Sequence, residues 1–464
     1  MKLLRRLFGA RSEVEVPPVP DRIELRIPGG LFADVLRHTT DTTRGEEAGF
    51  LLCSVALGDH GTTLLARDWL PVPEEEVIRR GGKFVVEWTP AFNSKAISNA
   101  LEMGCSLVLV HYHGGTEPEL SGDDRVNAED LFPAISRLLD GRVSGSVVLG
   151  APGASGIFWR DGRPAGTFFR LRVVGDYIDD QYPKPPLRSL GVRRRLDRQN
   201  LAIGTRTDEL LSAATVAIVG ASGGGSHVFQ QLLHQGVGTL IVVDPQLVEE
   251  SNLGRLVGSE VYDVDRTPKT EVALRLARRV DPRTKVVPVQ EAFPSPSVIV
   301  ALKQADVVVA CVDTWRVREQ LNEFCRRQHI PYVDIGINIE TADGRLERAD
   351  GQLIVVTPDS ACMRCLPILS DAVLERERKE RPPGYDRNPD AAGDPQVVSM
   401  NGTLASEACN AVLDLITGYS GGKRGPGWWQ YDGRGGTLEQ IDPPPRHRPG
   451  CPGCAQFGHG DPSI

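Results

Sequence analysis

"VAIVGASGGGSHV", residues 216–228, begins with a short apolar run rich in β-branched residues, which reads as a buried strand. A glycine cluster and a helix-compatible stretch follow. Glycines at such a junction let backbone N–H groups approach a phosphate at the helix N-terminus. "TLIVVD" (239–244) supplies the next strand, so the segment opens as a βαβ unit. "KVVPVQ" (285–290), "ADVVVACVD" (305–313) and "PYVDIG" (331–336) continue the alternation, which predicts a Rossmann-like, doubly wound, mostly parallel sheet. Gly220, Gly223 and Gly225 form the candidate phosphate loop, and Asp244, ending the second strand, is placed to hold a ribose hydroxyl. The same pattern also fits an NAD-dependent oxidoreductase.

Upstream the pattern changes to α+β. Strand-like runs "GFLLCSV" (49–55), "TTLLARDWLPV" (62–72), "KFVVEW" (83–88), "SLVLVHYH" (106–113) and "GSVVLGAP" (145–152) surround an amphipathic helical stretch, "AFNSKAISNALEMG" (91–104). Residues 1–20 end in "EVEVPPVP" and read as a flexible lead-in, and "YPKPPLRSLGVRRRLDRQ" (182–199) marks a boundary. The expected organisation is a first unit at 21–165, a linker at 166–192 and a second unit at 193–464, with a long exposed loop at 366–397.

The chain has 464 residues, 40% hydrophobic and 25% charged, with a net charge of −8. That is ordinary for a globular protein, and the negative balance argues against nonspecific nucleic-acid binding. No run approaches the eighteen or so apolar residues of a membrane span, and the basic N-terminal stretch lacks the apolar core of a signal peptide, so a cytoplasmic protein is expected. Nine cysteines in such a setting are tested first as metal ligands.

"VLVHYHGGTEPELSGDD" (108–124) sets His111 and His113 two apart, so that on a strand they leave one face and can grip one ion. Ser121 and Asp124 complete H-x-H-x7-S-x-x-D, with Asp124 as third ligand. Three protein ligands leave the fourth zinc position to water, the mark of a hydrolytic site. Upstream, "RGEEAGFLL" (44–52) places Glu46 three residues before Gly49. Together these segments resemble the JAMM (MPN-plus, Mov34-type) zinc metalloproteases. The resemblance implies an α/β metalloprotease domain in which His111, His113 and Asp124 hold zinc, Glu46 is the general base and Ser121 donates to the oxyanion. Glu47 is the minority candidate for base. Gly114 stands where the family often has proline.

In the second unit, "RLDRQNLAIG" (195–204), "DPQLVEESNLGRL" (244–256), "KTEVA" (269–273) and "CVDTWRVREQLN" (311–322) resemble, in order, the motifs of the ThiF/MoeB family of ubiquitin-activating-type adenylating enzymes. The resemblance implies ATP on Gly220, Gly223, Gly225 and Asp244, with Arg255 and Lys269 facing the triphosphate and Asp313 holding magnesium. Asn252, Arg318 and Asn322 would support the site, and Arg198 would reach the partner's nucleotide in a homodimer joined through the adenylation domain. Three positions depart from the family pattern: Ser222 for a glycine, Gln246 for a second aspartate and Thr314 for an asparagine.

Cys362 with Cys365, and Cys451 with Cys454, make two C-x-x-C knuckles able to complete a closed, structural zinc site. Many relatives carry a nucleophilic cysteine in the loop after the first knuckle; this chain has none there. Either the adenylate is passed on directly, or Ser399 or Ser370 forms an oxyester, or Cys409 acts. The combined expectation is a bifunctional enzyme of ubiquitin-like modification. Its adenylating half would activate the C-terminal glycine of a ubiquitin-like or sulfur-carrier β-grasp protein for a conjugating enzyme, and its peptidase half would process precursors or conjugates. Sulfur-carrier activation for cofactor or cysteine biosynthesis, and a catalytically reduced scaffold, are the alternatives.

Overall fold

A computed structural model of the chain describes residues 21–40, 47–81, 85–114, 118–151, 153–184, 193–380, 395–441 and 447–461. The lead-in at 1–20 and Glu46 lie outside the described residues.

The first unit contains β1 (Arg22–Pro28), α1 (Gly29–Thr39), β2 (Ala48–Gly58), β3 (Gly61–Pro71), β4 (Val77–Gly81), β5 (Val85–Trp88), α2 (Pro90–Met103), β6 (Ser106–Tyr112), α3 (Gly122–Leu138) and β7 (Ser144–Gly150). It continues with β8 (Gly153–Arg160), β9 (Arg163–Ala165), β10 (Thr167–Val174) and β11 (Ile178–Gln181). Nine of these strands form one sheet in the order β11-β10-β1-β3-β2-β6-β7-β8-β9. Odd residues of β2 (Leu51, Cys53) pack into one apolar cluster with Val108 and Val110, and even ones (Phe50, Leu52) into another with Leu107 and α2 and α3 residues. The sheet is thus covered on both faces.

The expected linker at 166–192 is corrected here: β10 pairs in parallel with β1, and β11 closes the edge. The stretch alternates apolar residues with Arg170, Arg172 and Asp180, and those charges are buried against one another: Arg170 binds Glu24 and Asp180, while Arg172 binds Asp180 and Asp306.

The second unit contains α4 (Asp197–Ile203), α5 (Thr207–Ala213), β12 (Thr215–Val219), α6 (Gly223–Gln235), β13 (Thr239–Val243), α7 (Lys269–Val280), β14 (Lys285–Val289), α8 (Pro296–Lys303), β15 (Val307–Ala310) and α9 (Trp315–Gln328). Then come β16 (Tyr332–Ala342), β17 (Arg345–Val356), α10 (Asp371–Glu380), α11 (Val398–Thr417), β18 (Gly427–Asp432) and β19 (Thr437–Gln440). The sheet runs β14-β13-β12-β15-β16-β17-β18-β19. Its first five strands are parallel and the last three antiparallel, so the doubly wound half is extended by a meander. Val216 and Ile218 enter the core under α6 and α11, whereas Ala217 and Val219 enter the one under α8 and α9. Burial on both faces is why β12 reads as an unbroken apolar run. The expected loop at 366–397 is interrupted by α10, and α11 starts at its end. Among the described residues no helix is long and apolar enough to cross a membrane.

The two units pack together through charge and through residues 455–461. Asp306 of the second unit accepts from Arg172 and from Thr215 N–H (2.7 Å). Asp461 N–H donates to Val55 O (3.1 Å), and its carboxylate accepts from Leu57 N–H (2.9 Å) and Lys303 Nζ (2.7 Å). Gly458 and Gly460 N–H donate to Arg326 O and Arg327 O, both at 3.0 Å, so this segment is wedged between α9 and the β2–β3 hairpin.

Burial works against the Glu24 carboxylate's charge, but Arg170, Arg26 and Arg172 together hold it far below the usual range. A depressed carboxylate stabilises the fold above its unfolded pKa of about 4.3, and that contribution drains away as pH falls toward the folded value. Asp306→Ala leaves Arg172 buried with one fewer anion and is expected to cost about 3–5 kcal/mol, read by denaturant unfolding at neutral pH. A change under 1 kcal/mol would show the cluster to be solvated.

Candidate functional site

Both candidate sites begin where strands end. β2 and β6 pair with Ala48 opposite His111, Phe50 opposite Leu109 and Leu52 opposite Leu107. Directly paired residues share a face, so His111 emerges on the side of the sheet covered by α2 and α3. Glu47, one residue before Ala48, takes the opposite side: it is buried, with its carboxylate 3.7 Å from His38, whose ring packs edge-on against Trp69. Glu47 thus lies on the side of the sheet away from the α2 and α3 helices.

His111 and His113 are buried, their Nε2 atoms 3.2 Å apart. Asp124 Oδ1 lies 3.4 Å from His111 Nε2, and Asp124 Oδ2 lies 3.3 Å from His113 Nε2. Three corners of a tetrahedron with a centre-to-ligand length of 2.0–2.1 Å stand roughly 3.3 Å apart, so the donor triangle fits a zinc ion in both size and chemistry. Burial opposes the Asp124 charge, but hydrogen bonds from His111 and His113 outweigh it and hold the carboxyl well below the usual range.

The S-x-x-D spacing has a second cause. Ser121 is the N-cap of α3: its hydroxyl accepts from Asp124 N–H (3.1 Å), and Asp124 Oδ2 accepts from Ser121 N–H (2.7 Å), a capping box. Ser121 Oγ also donates to Asp124 Oδ2 at 2.7 Å. Helix initiation and ligand placement therefore use the same two residues, and the Ser121 proton is directed at Asp124.

In the second unit, β12 is followed by Gly220, whose φ of +91° favours glycine and whose Cβ, if present, would meet Cys311 O at 2.6 Å. A Cβ on Gly225 would fall 1.8 Å from Gly220 O, so the turn closes only with glycine at both places. Asp244, buried at the end of β13, accepts from Ala221 N–H (2.8 Å) and Gln246 N–H (2.9 Å) and ties the loop to the neighbouring strand. A Cβ on Gly223 would lie 3.3 Å from Arg255 Cδ and 3.2 Å from Asn401 Nδ2, which places both residues beside the loop.

Lys269 starts α7 and is buried; its Nζ donates to Gln246 Oε1 at 2.7 Å. Burial pushes its ammonium pKa down, Asp244, Glu249 and Asp313 oppose that, and Arg255 adds to it. These groups converge at the carboxyl ends of β12, β13 and β15, the topological switch point where open α/β sheets hold their ligands. Gln246, in place of a second aspartate, gives Lys269 a neutral acceptor.

Other expected residues sit elsewhere. Asn252 is buried and accepts from Glu249 N–H (3.1 Å), building the turn that presents Arg255. Arg318 is buried, pairs with Asp334 and donates to Val312 O, holding the loop that carries Asp313. Asn322 faces the knuckle, accepting from Met363 N–H at 3.1 Å. Arg198 is exposed on α4, and Ser399 is exposed in the first turn of α11. Ser370 accepts from Val373 N–H (3.3 Å) at the start of α10. Cys409 lies in the core with its thiol against Val228 O, and burial pushes its pKa up, so it is no nucleophile. Glycine spacing gave no hint of Asn401, which arrives from α11.

The four knuckle sulfurs stand 3.9 Å (Cys362–Cys365), 3.6 Å (Cys362–Cys451), 3.5 Å (Cys365–Cys454) and 3.5 Å (Cys362–Cys454) apart. A Zn–S length of about 2.3 Å requires edges of roughly 3.8 Å, and Arg448 N–H donates to Cys365 Sγ at 3.3 Å.

The family model described as ThiF family matches residues 196–453, more than half of the 464-residue chain. The chain belongs to the ThiF family. Within curated proteins it is 33% identical over 260 residues to the SAMP-activating enzyme E1 of Haloferax volcanii, covering 55% of this chain and 86% of that one. It is 30% identical over 153 residues to the sulfur carrier protein ThiS adenylyltransferase of Escherichia coli, covering 32% of this chain and 57%, little more than half, of that one. It is 32% identical over 176 residues to the molybdopterin-synthase adenylyltransferase of E. coli, covering 37% and 67%. The ThiF-family match begins at α4 and leaves the first unit outside it.

Proposed function

We propose that this ThiF-family chain is an ATP-dependent adenylating enzyme acting on the C-terminal carboxyl of a ubiquitin-like or sulfur-carrier protein, joined to a zinc peptidase of the JAMM type. The observation that carries the first half is Lys269, buried beside the Gly220–Gly225 loop with Asp244, Arg255 and Asp313 around it. A carboxylate oxygen of the carrier attacks the α-phosphorus of ATP, the bond to the bridging oxygen breaks, and pyrophosphate leaves. Lys269 and Arg255 offer fixed positive charge to the triphosphate, Asp244 orients ribose, and Asp313 is the residue for magnesium, which would neutralise the leaving group. Exposed Arg198 would serve the partner's nucleotide in a homodimer.

For the second half the support is the His111–His113–Asp124 triangle. Zinc there would act as a Lewis acid and lower the pKa of a bound water toward about 7. Glu46 is the proposed proton carrier, and Ser121 the proposed donor to the oxyanion once its hydroxyl turns away from Asp124, to which it donates in the resting site. Glu46→Gln is expected to abolish cleavage of a carrier–protein fusion while Glu47→Gln retains most of it, since Glu47 faces the other side of the sheet. Equal losses in the two variants would count against this division of roles.

Pyrophosphate exchange, measured with candidate β-grasp carriers, tests the adenylating half. A sulfur-carrier role is the second reading, favoured by the thiols: besides the four knuckle residues, Cys53, Cys105, Cys325 and Cys409 are buried and Cys311 is half-buried. No cysteine is exposed for a thioester, so the adenylate is proposed to pass directly to a thiolating or conjugating enzyme, or to Ser399 as an oxyester. A covalent adduct cleaved by dithiothreitol would exclude the oxyester.

A further inference from the structure

α9 starts without a cap of its own: Thr314 occupies the N-cap position in an extended conformation and makes no side-chain cap bond. Its first turn is capped instead by Glu377, from α10. Trp315 N–H donates to Glu377 Oε1 at 2.7 Å and Arg316 N–H to Oε2 at 2.8 Å, across 62 and 61 residues of sequence. A carboxylate gripping two N–H groups of a helix N-terminus gains from both charge-assisted bonds and the helix dipole.

Asp313 lies two residues before Trp315 and one after Val312, whose carbonyl is held by buried Arg318. The loop is therefore pinned on both sides, by Arg318 from within the core and by Glu377 from outside it. The two pins differ in kind. Arg318 is locked by Asp334, which is fully buried. α10 has ten residues and none is buried; beyond partly buried Leu374 it is fastened by Glu377 at one end and at the other by Asp371, through Arg364, which also lies 3.2 Å from Glu319 of α9. A short helix held by charge at a half-buried position, Glu377, and an exposed one, Asp371, is easily displaced.

We infer that Glu377 is a positioning residue of the adenylation site, setting the loop that carries Asp313 from a helix in the segment after the first cysteine pair. The inference rests on the adenylation reading above. It gives that segment a means of tuning magnesium–nucleotide binding without touching the nucleotide.

The test is titration of the full chain and of Glu377→Ala and Glu377→Gln with ATP, in magnesium and in excess EDTA, alongside amide exchange at Trp315 and Arg316. Glu377→Ala is expected to weaken Mg–ATP binding about tenfold, leave binding in EDTA unchanged and speed exchange at both amides, with Glu377→Gln, which keeps one acceptor, in between. Faster exchange with undiminished Mg–ATP affinity would overturn the inference, making Glu377 a helix cap and nothing more. Equal weakening with and without magnesium would also overturn it. Failure of the parent chain itself to bind Mg–ATP would instead sink the adenylation reading, and this inference with it.

Discussion

Asp124→Asn is expected to strip zinc from the histidine pair and lower peptide cleavage on the order of a thousandfold, with α3 still capped. The asparagine carbonyl can still accept from Ser121 N–H, so α3 keeps its start. What goes is the anionic donor 3.3–3.4 Å from both imidazoles, and with it several kcal/mol of charge stabilisation. Asp124→Ala removes the acceptor as well and should add about 1 kcal/mol of lost capping. Metal analysis with a fusion-cleavage assay reads the first effect, and thermal unfolding separates it from the second. Full zinc content and undiminished cleavage in Asp124→Asn would remove the hydrolytic assignment.

Lys269→Ala is expected to lower carrier-dependent pyrophosphate exchange by about 10²–10³, the usual loss when one fixed donor to developing charge is deleted. Lys269→Arg should rescue little, because the guanidinium is larger and planar and the ammonium sits buried against Gln246. Zinc content and peptide cleavage should stay at parental levels in both variants, since His111, His113 and Asp124 lie in the other unit. Exchange within twofold of the parent would contradict the placement of the triphosphate.

The parts legible from sequence were those whose cause is local. β12 lies in the middle of a parallel sheet, so TVAIV reads as apolar without alternation, and the turn after it accepts only glycine at 220 and 225. H-x-H on a strand and S-x-x-D at a helix start both come from single-element geometry, as do the C-x-x-C pairs. β10 was not legible, because Arg170 and Arg172 resemble linker charges until Glu24, Asp180 and Asp306 are brought to them. α10 hid in a charged stretch because nothing in it is buried, and Glu377 could not be tied to Trp315 across 62 residues. The preference for Glu46 over Glu47 came from its spacing to Gly49, and the register Ala48–His111 adds only where Glu47 lies.

The wedge formed by residues 455–461 bears on how the molecule comes apart. It follows Cys454 directly and bonds to both units, at Val55 and Leu57 on one side and Arg326, Arg327 and Lys303 on the other. Neither half can melt without stripping hydrogen bonds from the other, so calorimetry should record one cooperative heat-absorption peak instead of two. If the four sulfurs hold zinc, a chelator strong enough to take it from them should split that peak.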